Sequence, residues 1–193
     1  AALVYDELTN QRFVVPSEAG HIGFQPKNRA ELRYLQNLWQ KYPNASAEFA
    51  LSGKHGFNNL MDKPLLAARA PKLARAVNTA RQNDQPIGVV LSEFARLGKG
   101  SSKRMAQGIL MQMGNMVGSL LRDYAVTFKA TGGVYLTGSV SHGIGEYLAE
   151  HTGFNKRFVC EGAVHAEWLK DVPICLIDDP HIAVVGALAL AKG

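Results

Sequence analysis

The sequence predicts an α/β fold, and three observations carry that prediction: a β-hairpin at the amino end, a block of short helices through the middle, and two strand-then-helix units toward the carboxyl end. Each element has its own local reason.

Leu3 to Tyr5 and Arg12 to Val15 are rich in β-branched and aromatic residues and flank a polar turn at Asp6 to Gln11, which reads as a hairpin ended by Pro16. Ser17 to Phe24 is read as an extended segment punctuated by Gly20 and Gly23, the kind of stretch on which function often sits. From Asn28 to Tyr42 the residues Leu32, Leu35, Leu38 and Trp39 recur at helical spacing, with Asn28 as the cap and Pro43 as the stop. Ala47 to Leu51 is ambiguous. Ser52-Gly53 opens a helix through Phe57, Leu60 and Met61, and Pro71 to Arg81 and Pro86 to Leu97 are two further helices with proline in the first turn.

Ser102 to Phe128 is the strongest helix, with Met105, Ile109, Met113, Met116, Leu120, Tyr124 and Phe128 along one side and Leu110, Val117 and Leu121 widening the stripe. It is expected to be the central helix. Gly114 and Gly118, one turn apart, each cost close to 1 kcal/mol of helix propensity, a cost tolerated where a neighbour packs on bare backbone. The five methionines read as core filler. Gly133 to Thr137 is a buried strand, Gly138 a turn, and His142 to Thr152 a helix with Ile144, Tyr147 and Leu148 inward. Pro173 to Ile177 forms the second strand, followed by Asp178-Asp179 as cap, Pro180 at the first helical position and a helix from His181 to Leu190.

With 47% hydrophobic and 19% charged residues in 193, the chain has the composition of a globular domain, not of a disordered or collagen-like one. The uncharged apolar run from Ile182 to Ala191 is about half of the roughly 20 residues that a membrane helix needs, so it is read as a buried helix, and no membrane partner is expected. Cys160 and Cys175 have no metal-ligand spacing, which argues against a disulfide framework or a zinc cluster and suits a reducing compartment, the cytoplasm by default. The net charge of +5 raises the question of nucleic acid, but Arg29, Arg33, Lys72, Arg75, Arg81 and Arg157 are dispersed, and only Lys99, Lys103 and Arg104 lie close in sequence. No nucleic-acid partner is expected. A mild positive field suits a small anionic substrate such as a nucleotide.

Two carboxylates stand out by context, Glu18 in SEAGH and Glu48 in AEFALSG. A carboxylate can accept from two vicinal hydroxyls of a sugar at once, and His21, three residues after Glu18, can donate to a third. A surface glutamate beside a structurally bonded histidine is the other reading, and these residues alone leave both open.

The stretches PSEAGHIGF (16–24), AEFALSG (47–53), GGVYLTGSV (132–140) and DVPICLIDDP (171–180) occur in the order and approximate spacing of the bacterial glucokinase family. The chain resembles the carboxyl-terminal large domain of that family along essentially its whole length, least between Asp62 and Ser101. The resemblance implies an actin-like ATPase, ribonuclease H-like fold, with residues 1–193 as the single large domain of a two-domain sugar kinase. It implies that Glu18, His21 and Glu48 hold glucose, and that Gly132, Gly133 and Gly138 match the strand and turn that pass beneath adenosine. Gly138 and Ser139 would then line the nucleotide site, with Ser139 where a second glycine is common. Ala19 replaces a usual glycine, which a backbone with φ below zero tolerates.

The activity implied is phosphorylation of the glucose 6-hydroxyl by ATP with Mg2+, the first step of glycolysis. In the family the catalytic Asp and an Asp-x-Gly-Gly-Thr phosphate loop precede this region. They are expected upstream of Ala1, so no catalytic base is assigned within the chain and it is not expected to turn over alone. The related zinc-containing sugar kinases and repressors pair a Glu-x-Gly-His element with a Cys-x-Cys-Gly cluster. None follows His21, which favours the zinc-free branch and no metal ligands. The alternative is a non-catalytic sugar-sensing or regulatory domain on the same fold. A homodimer is left open.

Overall fold

The computed structural model describes the chain apart from Lys54, Asp178, Pro180 and Gly193, and apart from the side chains of 139–143, 183 and 190–192. The chain divides into two compact units, residues 1–50 and 51–193.

In the first unit the strands β1 (Ala2–Asp6) and β2 (Gln11–Val15) pair antiparallel with Ala2 opposite Val15. The turn is tied by Asp6, which accepts from the Leu8 amide and the Thr9 hydroxyl, and by the left-handed Asn10 at φ 55°. Helix α1 (Arg29–Trp39) starts as predicted at Asn28, whose Oδ1 accepts from the amides of Ala30 and Glu31 at 2.9 Å. Its buried face differs from the predicted stripe. Glu31, Tyr34, Leu35 and Leu38 point inward, and Leu32 and Trp39 are exposed. Residues 31, 34, 35 and 38 follow the helical period as well as the predicted set does, and the buried Glu31 carboxylate is satisfied locally by the Lys27 amide and the Asn28 side chain. Helix α2 (Ala47–Leu51) settles the ambiguous segment.

Tyr34 is buried against Phe24 and donates its hydroxyl to the Ala50 carbonyl at 2.9 Å. Burial, with a smaller contribution from Tyr42, pushes the phenol well above its ordinary value near 10. The folded phenol stays neutral while the unfolded one ionises above about pH 10, so this stability is present in full below that pH and falls as pH rises beyond it. Tyr34→Phe is expected to cost about 1 kcal/mol at neutral pH and to remove this alkaline loss. In urea titrations the gap between variant and parent should therefore narrow above about pH 10.

The second unit is organised by the helices α3 (His55–Leu60), α4 (Lys63–Arg69), α5 (Pro71–Gln82), α6 (Ile87–Leu97) and α7 (Gly100–Phe128). Helix α7 packs against each of the other four and is the central helix that its length predicts. Its inward residues run through Ala106, Ile109, Leu110, Met113, Met116, Leu121 and Ala125, with Phe128 exposed at the end. The stripe is thus rotated slightly from the predicted one. Lys129, left-handed at φ 46°, ends the helix, and Ala130 donates back to the Ala125 carbonyl at 2.9 Å.

Beyond α7 come strand β3 (Val134–Leu136), helices α8 (Ser139–His151), α9 (Phe154–Val159) and α10 (Ala166–Leu169), strand β4 (Ile174–Leu176) and helix α11 (Ile182–Lys192). Strands β3 and β4 pair in parallel, Val134 opposite Ile174. Parallel pairing requires a crossover, and α8 to α10 supply it. Leu121, Ala125, Phe154, Phe158, Leu169 and Val172 form a core against which Val134, Leu136 and Ile174 pack. Ile144, Tyr147 and Leu148 are inward on α8 as predicted, although the helix starts at Ser139, three residues earlier than its apolar pattern suggested.

Gly114 and Gly118 serve close packing. A methyl on Gly114 would meet the Thr152 side chain, and one on Gly118 the backbone carbonyl of Phe154. The expectation that Ile182 to Ala191 is a buried helix is corrected: Val184, Val185 and Leu188 of α11 are each about half exposed. An apolar run shows that a helix is suited to burial, not that this chain supplies the covering surface. Asp179 accepts from the His181 amide at 2.8 Å ahead of α11, while the expected contributions of Asp178 and Pro180 fall outside the described residues. Among the described residues no helix is long and apolar enough to cross a membrane.

Candidate functional site

The first candidate site is built within residues 1–50 from one turn and one short helix. The Ser17 hydroxyl accepts from the Ala19 amide at 3.0 Å, and a single 3-10 turn follows over Ala19–His21. This replaces the extended course expected for that stretch. The His21 amide donates to the Glu18 carbonyl at 2.9 Å, and at three residues per turn the side chains of residues 18 and 21 come to the same side. Ala19 is not among the residues with positive φ, so the alanine replacing the usual glycine is accommodated as expected.

The chain then extends and forms an antiparallel bridge, Gly23 opposite Ser46. Phe24 donates to the Ala45 carbonyl at 2.9 Å and Ala47 to the Ile22 carbonyl at 2.8 Å. That bridge sets the start of α2, and with it Glu48, beside the turn. Stacking of Tyr42 on Phe49 at 4.5 Å holds the other side of α2.

The result is a cluster of the three residues singled out in the sequence. His21 Nδ1 lies 3.4 Å from a Glu48 carboxylate oxygen and 3.9 Å from one of Glu18. The side chains are 68%, 57% and 91% exposed for His21, Glu48 and Glu18 in turn. Exposed pairs of this kind contribute about 0–1 kcal/mol at most, so the cluster does little for stability. Chemically it offers two carboxylates able to accept several O–H bonds and an imidazole able to donate one, a set matched to adjacent hydroxyls. Gly20 lies beneath it, where a methyl would sit 4.0 Å from Glu48. Among the described residues no group of three or more His, Cys, Asp or Glu is placed to hold a metal ion.

The second candidate site lies within residues 51–193, at the carboxyl end of β3. Gly138, at φ 100° and ψ 170°, turns the chain from the strand into α8. Among the described residues a methyl there would meet nothing within 4 Å, which leaves the backbone open on that side, and only glycine adopts that φ readily. Gly133, at φ 119°, lies where a methyl would press on Pro173, which makes it a packing glycine for β3 on β4. The Ser139 side chain lies outside the described residues.

Sequence reasoning missed Ser17 and Ser46, whose hydroxyls shape the turn and α2. A signal was present: Ser46 is followed by Glu48, the cap-then-acid order of a helix start.

A glucokinase from an Antarctic psychrotroph, known from its crystal structure, superposes with a TM-score of 0.68 at 24% identity, over 93% of this chain and 50% of that one. The chain therefore shares the α/β fold of that enzyme over nearly its whole length. The glucokinase family model matches residues 1–193, and the chain belongs to the glucokinase family. It is 27% identical over 190 residues to a glucokinase of Trichormus variabilis, covering 94% of this chain and 55% of that protein. It is 28% identical over 175 residues to a glucokinase of Saccharophagus degradans, covering 91% and 49%. A protein of Burkholderia pseudomallei named bifunctional protein glk is 29% identical over 174 residues, covering 90% of this chain and 24% of that protein. The chain spans about half the length of the glucokinases it matches.

Proposed function

We propose that this chain is the sugar- and adenosine-binding large domain of a glucokinase that phosphorylates the 6-hydroxyl of glucose with ATP, the entry reaction of glycolysis, in the cytoplasm. The observation that carries the reading is the meeting of Glu18, His21 and Glu48 at 3.4 and 3.9 Å in a chain of this family. The two carboxylates accept from neighbouring sugar hydroxyls and His21 donates to another. The sugar is thereby fixed against rotation, and its 6-hydroxyl is presented in one direction. The backbone at Gly138 fits the face of a nucleoside, because glycine brings no side chain of its own there and an added methyl would meet none of the described residues within 4 Å. Mg2+ would reach the site with the nucleotide phosphates.

Phosphoryl transfer also needs a group that takes the proton from the attacking hydroxyl and a cradle for the phosphates. Neither is assigned to this chain, and we place both in the part of the protein corresponding to the half of its relatives that the chain does not match. The test is a coupled assay of glucose 6-phosphate formation by the complete protein and by the 193-residue chain. ATP-dependent product from the first and none from the second is the expected result. Absence of activity from the complete protein, with a helix-turn-helix in place of an Asp-Gly-Gly-Thr loop in the adjoining reading frame, would favour a sugar-sensing regulator.

A further inference from the structure

We infer that Ser46 is a positioning residue of the sugar site, setting the direction of Glu48 through the cap of α2; the inference rests on the sugar-binding reading above. Glu48 is the second residue of a five-residue helix, a length at which helix formation is not self-sustaining. Its orientation must therefore be imposed from outside the helix. The Tyr42 ring on Phe49 and the Tyr34 bond to the Ala50 carbonyl hold the far side and end of the helix, and the two constraints at its start converge on Ser46.

The backbone of Ser46 is bridged to Gly23, which places the start of α2 next to the turn carrying Glu18 and His21. The Ser46 side chain is buried at 5% exposure, and its Oγ accepts from the Phe49 amide at 3.3 Å, while its carbonyl accepts from Ala50 at 3.1 Å. The bridge fixes where α2 begins, and the cap fixes its rotational phase. Side chains advance about 100° per helical residue, so a change of phase turns Glu48 away from His21 Nδ1. Without Oγ the Phe49 amide loses that bond, and a one-turn helix has no other turns to hold its geometry.

The test compares the 193-residue chain with Ser46→Ala, Ser46→Thr and Asn28→Ala, the last removing the cap of α1 in the same unit. Glucose affinity is followed by NMR titration, and the 15N shift of His21 Nδ1 is recorded at one pH with Glu48→Gln as reference. Loss of the cap is expected to weaken glucose binding about fivefold in Ser46→Ala. Ser46→Thr should restore the affinity, and Asn28→Ala should leave it unchanged despite a comparable loss of thermal stability. The His21 Nδ1 shift in Ser46→Ala should move toward that of Glu48→Gln. Equal affinity in Ser46→Ala and the parent, or an equal loss in Asn28→Ala, overturns the inference. If the parent binds no glucose, the sugar-site reading fails, and the Nδ1 shift then decides Ser46 by itself: no movement in Ser46→Ala removes it as a positioning residue.

Discussion

Glu48→Ala is expected to weaken glucose binding by about 10- to 100-fold in the complete protein, measured by calorimetry. The estimate follows from the loss of a charged acceptor: hydrogen bonds to a carboxylate are worth about 1.5–3 kcal/mol each, and each 1.4 kcal/mol is a factor of ten. Glu48→Ala also takes away the nearer of the two carboxylates beside His21, at 3.4 Å, and leaves the farther one at 3.9 Å. Stability should change little, because Glu48 is more than half exposed and exposed polar contacts contribute little. Large loss of affinity with an unchanged melting temperature separates a ligand-holding role from a structural one. Unchanged affinity would remove Glu48 from the site.

Gly118→Ala should have the largest effect on stability. Helix α7 gains about 1 kcal/mol of propensity from alanine, yet the added methyl meets the Phe154 backbone, with its carbonyl carbon at 3.0 Å and its Cα at 3.1 Å. Backbone cannot swing aside as a side-chain tip can, and overpacking of this kind costs about 1–3 kcal/mol or more. A net loss of about 2 kcal/mol is expected, seen as a fall in melting temperature of about 4–8 °C for a chain of this size. Gly108→Ala is the matched comparison. It lies on the same helix with nothing within 4 Å of the added methyl, and it should stabilise by about 0.5–1 kcal/mol. A fall of similar size for both would mean that α7 does not pack on α9 through Gly118.

These two variants also mark what the sequence made legible. Gly118 was readable because two glycines one turn apart inside a strong apolar stripe conflict with helix propensity, and such a conflict points to a neighbouring backbone. The long helix was readable from periodicity sustained over several turns, the hairpin from β-branched and aromatic residues around a polar turn, and β3 and β4 from short apolar runs next to turn residues, while their parallel pairing was not. The helices α4, α9 and α10 were not. They span between four and seven residues, too few turns for a period to stand out.

The inward face of α1 shows a different limit. Leu32 and Trp39 fit the helical period as well as Tyr34 and Leu38 do, and only the partners Phe24 and the Ala50 carbonyl decide between them. Helix α11 shows a third, since its apolar composition is silent about what covers it. At the proposed sugar site Glu18, His21 and Glu48 could be picked out from their motifs, but the means of bringing them together could not. That depends on the bridge from Gly23 to Ser46, a long-range pairing with no signature in either segment alone.

In the proposed reading, the turn at residues 17–24 and the start of α2 together hold the sugar. The most direct measurement is a glucose titration of the 15N-labelled 193-residue chain, with the same titration of Glu48→Gln. Saturable amide shifts within residues 17–24 and 45–51 that disappear in Glu48→Gln are the predicted result. Shifts that arise elsewhere, or that persist unchanged in Glu48→Gln, would contradict it.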